Sequence, residues 1–291
     1  MISQPTDLPH PVTGQAFSSP VPPGTGWPDD VASSSTVTAT DRGEVAKLAA
    51  EPRSLGGLGG TISVCRACAR LVAWREEVAV TKRRAYQAEP YWGRPVPGWG
   101  SARPRLVIIG LAPAAHGGNR TGRIFTGDRS GDWLFASLQR TRWAAKPTSM
   151  HAGDGQRLID ARMVAAVRCA PPANRPTVEE RDTCSAWLDA ELAMVAPFMR
   201  VAVCLGSYAW AAALRALRTV GYDVPRPRPR FGHGAEVVLS ASAGDPPGSP
   251  RGLLLKGSYH PSQQNTFTRK LTGPMLDAVF ARAREWTDTG G

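Results

Sequence analysis

The stretch RLVIIGLAPAAHGGNRTGRIFTGDRSGDWLFASLQR, from Arg105 to Arg140, decides the fold. Residues 106–109 are consecutive apolar positions, the pattern of a parallel strand buried on both faces. Beyond Asp128 the apolar spacing turns helical, with the N-cap expected near Ser130. Between the two, the loop from Gly110 to Asp128 is rich in small residues and carries no carboxylate before its last position. A strand running through a glycine-rich loop into a helix is where open α/β sheets place ligands, so this loop is the first candidate for a site.

The same rhythm recurs downstream. MVAAV (163–167) reads as a strand, and Thr177, with Glu180 at the capping-box position, opens a long helix. VAVCLG (201–206) precedes an Ala-rich helix, and GLLLKGSYHPS (252–262) precedes the closing helix GPMLDAVFARAREW. This alternation predicts the α/β class: three α/β/α layers around a central, mostly parallel four-stranded sheet. RWAAKPTSMHAGDGQRL (142–158) and PRPRPRFGHG (225–234) read as loop insertions, and no internal repeat is present. Residues 1–55 are rich in Pro, Ser, Thr and Gly without periodicity, a composition that predicts a disordered tail. The pattern changes near Ser63, where SVCRACARLVAWREEVA reads as a cysteine pair entering a helix. The folded domain is therefore expected over residues 56–291.

The 291-residue chain carries a formal charge of +11, which points to a polyanionic partner, nucleic acid first. No window holds the ~18 apolar residues of a membrane span, and the N-terminus lacks a leader pattern, so a cytoplasmic, nucleoid-associated protein is expected. Disulfides are not expected there, so five cysteines need another account. Cys65 and Cys68 form a CxxC pair, and Cys169 and Cys184 are separated by fourteen residues. Four thiolates can hold tetrahedral zinc or an iron–sulfur cluster, and spacing alone leaves the choice open beside ordinary buried thiols. Cys204, inside an apolar run, reads as a core residue.

Taken together, GLAPAAHGGNRTGRIFTGD (110–128), VRCAPPANRPT (167–177) and SYHPSQQNTFTRKLTG (258–273) resemble the three signature segments of the type 5 (type B) uracil-DNA glycosylases, a branch of the uracil-DNA glycosylase superfamily. The resemblance spans about Ser63 to Trp286. It implies hydrolysis of the N-glycosidic bond of uracil, and of hypoxanthine, hydroxymethyluracil or ethenocytosine, by a monomer acting on double-stranded DNA. It also implies a [4Fe–4S] cluster on Cys65, Cys68, Cys169 and Cys184. A base inside a duplex is out of reach, so the nucleotide has to be flipped into a pocket.

As the bond stretches, negative charge grows on the departing base, and a site needs donors aimed at it. The resemblance assigns His260 to the donor that stabilises the leaving base, Asn174 to the amide that reads its polar edge, and Phe125 to the stacking surface. The backbone of the GLAPAAHGG loop, at Ala112, Pro113 and Ala114, would approach the base or a water, with N–H donors from the non-proline positions. Other branches of the superfamily place a carboxylate or amide near the second or third position of the first motif; here those positions are Leu111 and Ala112. The water then falls to Asn119, the preferred candidate, or to Asp128, the nearest carboxylate downstream. Asn265, Arg269 and Lys270 are expected at the phosphates or the pocket, and Phe267 or Leu271 at the tip of a wedge pushed into the duplex. The PRPRPRF strip suits a phosphate backbone, although a solvated basic loop is simpler. The competing reading is an iron–sulfur DNA-binding or redox protein of the same fold without glycosylase chemistry. A generic nucleotide site is disfavoured, because neither a Walker A nor a GxGxxG pattern occurs in the loop.

Overall fold

The apolar run after Arg105 is a strand in the computed structural model, which describes residues 7–51, 54–241 and 252–289. In chain order the strands are β1 (Leu8–Pro9), β2 (Ala16–Phe17), β3 (Trp99–Gly100), β4 (Leu106–Gly110), β5 (Ala161–Ala165), β6 (Val201–Leu205), β7 (Glu236–Leu239) and β8 (Leu253–Ser258). The helices are α1 (Arg42–Ala49), α2 (Leu55–Ser63), α3 (Ala69–Thr81), α4 (Gly118–Thr121), α5 (Arg129–Arg140), α6 (Val178–Val195), α7 (Ser207–Thr219), α8 (Gln263–Phe267) and α9 (Gly273–Asp288).

Strand β4 has no polar face because both of its faces are covered. Leu106 and Ile108 pack with Leu134, Phe135, Val279 and Phe280 of α5 and α9. Val107 and Ile109 pack with Leu188, Leu192, Ala213 and Leu217 of α6 and α7. The side-chain period of two sends alternate residues into two separate apolar layers, which is the three-layer arrangement expected. β5, β4, β6 and β8 are mutually parallel, with Leu106 opposite both Ala161 and Val201.

The sheet is nonetheless six-stranded and mixed, in the order β3-β5-β4-β6-β8-β7, which corrects the four-stranded expectation. The two additions are antiparallel edges. β3 is a two-residue strand within a Pro- and Gly-rich segment, and β7 exposes part of its length, so neither has the continuous apolar signature of a central strand. Since β5 and β6 flank β4 on opposite sides, the loops leaving their carboxyl ends meet at a topological switch point.

The largest correction concerns the N-terminal segment. Residues 7–51 are folded onto the domain rather than disordered: Phe17, Val21 and Trp27 join the core beneath α5 and α9, and Val45 and Ala49 of α1 pack with Trp187. Asp30 accepts from Arg94 at 2.8 Å, and Asp29 accepts from Arg123 at 2.9 Å. A few large apolar side chains and two ion pairs with buried arginines fix this segment, and none of them leaves a periodic signal. Residues 1–6, also assigned to the tail, lie outside the described residues.

Smaller shifts follow from local chemistry. β5 begins two residues before the run read as a strand. The capping box at Thr177 is present, with Glu180 N donating to Thr177 Oγ1 at 3.2 Å and Thr177 N donating to Glu180 Oε2 at 2.7 Å. Helix α5 is capped by Asp128, not Ser130, because the Asp128 carboxylate accepts from Gly131 N at 2.9 Å. The segment 142–158 is a loop, yet it buries Trp143, His151 and Ala152.

Candidate active site

Where β4 ends, Gly110 faces an aromatic ring. A Cβ there would lie 2.7 Å from Phe125 Cζ, so only glycine lets the Phe125 ring lie against the strand end. Phe125 itself takes φ 55°, a conformation uncommon outside glycine, and is 6% exposed. Its ring centroid is 5.9 Å from that of His260, with 36° between the planes. His260 follows β8, and its imidazole makes no hydrogen bond among the described residues. Burial pushes its pKa down to about 4, so the ring is neutral near pH 7.

Asn174 arrives from the second motif. After β5 the chain enters a short turn in which Ala173 (φ 51°) and Asn174 (φ 55°) are both left-handed. Asparagine tolerates that geometry; alanine does so at a cost of order 1–3 kcal/mol, and such strain clusters at functional sites. His260, Phe125 and Asn174 line one cavity of about 460 Å³ together with Leu111, Ala112, Ala114, Asp128 and Ser130. A larger cavity of about 770 Å³ beside β3 contains none of the motif residues named for catalysis or base reading.

Asp128 reaches this cavity because Gly117 has no side chain: a Cβ there would meet the Asp128 carboxylate at 2.1 Å. Burial raises the Asp128 pKa, and the hydrogen bonds from Gly131 and Ser130 work against that rise. The carboxylate therefore has a structural duty as the α5 cap and also borders the cavity.

A family model for the uracil DNA glycosylase superfamily matches residues 97–284. The chain belongs to that superfamily. A type-5 uracil-DNA glycosylase of Mycobacterium bovis is 55% identical over 276 residues, 95% of this chain and 98% of the relative. Its counterpart in Thermus thermophilus is 45% identical over 224 residues, covering 77% and 94%. A type-4 uracil-DNA glycosylase of Archaeoglobus fulgidus is 33% identical over 115 residues, covering 39% and 49%. The chain is thus a glycosylase of the type 5 branch, and the reading as a non-catalytic binding or redox protein is set aside.

Not every residue expected in this glycosylase's site is there. Asn119 is fully buried and does not line the cavity; its amide nitrogen donates to the carbonyl of Arg75 at 3.1 Å. The preference for Asn119 as the water-holding side chain is corrected accordingly, because the amide is turned toward α3. Pro113 is not among the lining residues either, and its ring packs toward Gly118. Asn265 acts one step back: its side chain donates to the His260 carbonyl at 2.9 Å and so fixes the loop that presents the imidazole. Leu271 cannot be a wedge, since it is 0% exposed in the core, whereas Phe267 is 65% exposed with the Arg129 guanidinium 5.0 Å from its ring centre. Arg269 and Lys270 are exposed, as DNA contacts would be. Leu111, Ser130, Ser262, Gln263 and Gln264 also line the cavity. For all but Ser130, two residues past the first motif, their place within the motifs was the signal.

Cys65, Cys68, Cys169 and Cys184 line one small cavity with Arg75, Arg168 and Trp187, while Cys204 is buried in β6. Among the described residues, no group of three or more His, Cys, Asp or Glu side chains is arranged to hold a metal ion. Arg75 donates to Cys169 Sγ at 3.1 Å, and the Arg168 backbone N–H donates to Cys184 Sγ at 3.3 Å. Burial, then repulsion from Cys169 and Cys65, pushes the Cys68 thiol up to about 12. Burial also raises Cys65 and Cys184.

Proposed function

We propose that this glycosylase hydrolyses the N-glycosidic bond of uracil in double-stranded DNA, acting as a monomer, with hypoxanthine, hydroxymethyluracil and ethenocytosine as further bases, and leaves an abasic site. One observation carries the reading: His260, Phe125 and Asn174, from three segments far apart in the chain, line a single cavity at the carboxyl ends of the parallel strands. The flipped base stacks on Phe125. The Asn174 amide, both donor and acceptor, pairs with its polar edge. As the bond breaks, the neutral imidazole of His260 donates to the base oxygen that gathers negative charge, in a cavity where such a bond is stronger than in water. Water adds to the sugar carbon; with Leu111 and Ala112 at the motif positions and Asn119 turned away, Asp128 is the carboxylate that borders its approach. Phe267, on α8, fills the space that the flipped nucleotide leaves.

The cysteine quartet holds a [4Fe–4S] cluster. Four cysteines line one small cavity, and they are the four positions that the family resemblance assigns to the cluster. When bound, the cluster supplies four covalent ties between the segment before α3, the end of β5 and α6. It has no part in the bond cleavage. Iron and acid-labile sulfide content, with visible absorbance lost in Cys68→Ser, tests the assignment.

The activity test is strand cleavage at the abasic site after incubation with labelled duplexes holding one uracil or one inosine. Release from both is the expected result; release from uracil alone would narrow the substrate range, and release from neither would overturn the reading.

A further inference from the structure

We propose that Arg83 and Arg84, at the corner after α3, grip the phosphodiester backbone of DNA beside the flipped nucleotide, on the side of the cavity walled by the first motif. The proposal rests on the DNA reading given above and extends the contact surface well beyond the α8 loop. It begins from a strained residue: Lys82, which ends α3, takes φ 55°, and the two arginines that follow are exposed. Neither guanidinium has an ion pair or hydrogen bond among the described residues. The corner is braced from beneath. Lys82 Nζ donates to the Glu89 carbonyl at 2.9 Å, and the Arg83 N–H donates to the hydroxyl of Tyr91 at 3.4 Å.

That hydroxyl connects the corner to the site. Tyr91, itself fully buried, has its oxygen 3.1 Å from His116 Nδ1. His116 belongs to the first motif, two positions after Ala114, which lines the base cavity. The first motif is therefore tied through the contact of His116 with Tyr91 to the backbone N–H of Arg83. The acid in this segment does not neutralise the corner, because the Glu89 carboxylate is engaged by Arg120. Duplex DNA carries a phosphate every ~3.4 Å along each strand, so a nucleotide seated in the cavity brings its neighbours' phosphates past this wall. Two unpaired arginines on a braced corner match that charge. The exposed Arg129, Arg269 and Lys270 serve the α8 side in the same way.

The test compares two double variants of equal charge loss. Arg83→Ala with Arg84→Ala removes the corner; Arg103→Ala with Arg157→Ala removes two exposed arginines that precede β4 and β5, at the other end of the sheet. Binding of a labelled duplex with one stable abasic-site analogue is followed by anisotropy across salt concentrations, and circular dichroism checks the fold. Loss of two phosphate contacts makes the slope of log K against log salt shallower by about 2 and weakens binding by about tenfold or more at 0.1 M salt. The control pair keeps the wild-type slope. A corner variant with the wild-type slope, or a control pair that loses as much, overturns the proposal. Failure of the wild-type chain to release uracil would instead overturn the underlying reading, and the slopes would still report on the corner.

Discussion

Two cavities hang from one loop. The segment after β5 gives Cys169 to the first and, five residues later, Asn174 to the second, yet their surroundings differ. Around the cysteines, Arg75 and the carboxylate of Glu191 are tied to the protein. Arg75, 1% exposed, donates to the carbonyls of Gly93 and Cys65 and to Cys169 Sγ. Glu191, buried in α6, accepts from Arg162 Nε at 2.6 Å and lies 2.6 Å from Arg168 Nη2. In the base cavity the His260 imidazole has no hydrogen-bonding partner among the described residues, and the flanking backbone is left-handed at Phe125, Ala173 and Asn174. The first region is a frame of buried charges paired within the protein; the second keeps donors and acceptors for a ligand. Changes in the frame should therefore cost stability, and changes in the base cavity should cost activity.

Glu191→Ala breaks this comparison most severely if it is wrong. It leaves the buried Arg162 and Arg168 without a counter-charge, and the expected loss is about 3–5 kcal/mol of unfolding free energy in urea. A loss below about 1 kcal/mol would show that the frame does not depend on the triad. Next comes Asn174→Ala. Its side chain is exposed, so stability falls only by the roughly 1 kcal/mol that alanine costs at a left-handed position, while removing a hydrogen-bonding partner of the base lowers kcat/KM for a uracil duplex by about 1–3 kcal/mol of transition-state binding. An unchanged kcat/KM would remove Asn174 from base recognition.

A third test uses pH. Burial holds His260 at about 4 and His151 at about 3, both below the unfolded value near 6.5. The unfolded chain takes up these protons first. Stability is complete above pH 6.5 and declines as pH falls toward the folded values, by about 1–2 kcal/mol per histidine at pH 5. Thermal melts at pH 7.5 and 5 should show the drop, and His151→Phe should reduce it. Equal melting temperatures for the wild type would contradict the burial assigned to both rings.

The smallest effect is expected from Asn119→Ala. Losing its bond to the Arg75 carbonyl costs about 1 kcal/mol of stability and changes single-turnover uracil release less than about threefold. A hundredfold loss of rate at full stability would return Asn119 to the reacting centre.

Much of the fold was legible because β4, β5, β6 and β8 are continuous apolar runs, each leading through a loop to a helix. The edges were not: β3 is two residues long, and β7 is partly exposed. The N-terminal segment escaped notice because Phe17, Val21 and Trp27 are anchors without a period, and Arg94 and Arg123, the partners of Asp30 and Asp29, lie far away in sequence. In the site, His260, Phe125 and Asn174 were readable because their motifs sit at strand ends, where the topology gathers them. Asn119 and Leu271 occupy the same motifs but point inward. Spacing cannot tell a side chain that faces the cavity from its neighbour that packs beneath it.

The most direct test of the account is the single-turnover rate of uracil release by His260→Ala, measured from pH 5.5 to 8 beside the wild type. The account predicts a nearly flat wild-type profile, since His260 stays neutral throughout, and a variant that folds normally but is about 10²–10³-fold slower. A variant that keeps nearly full activity would contradict it.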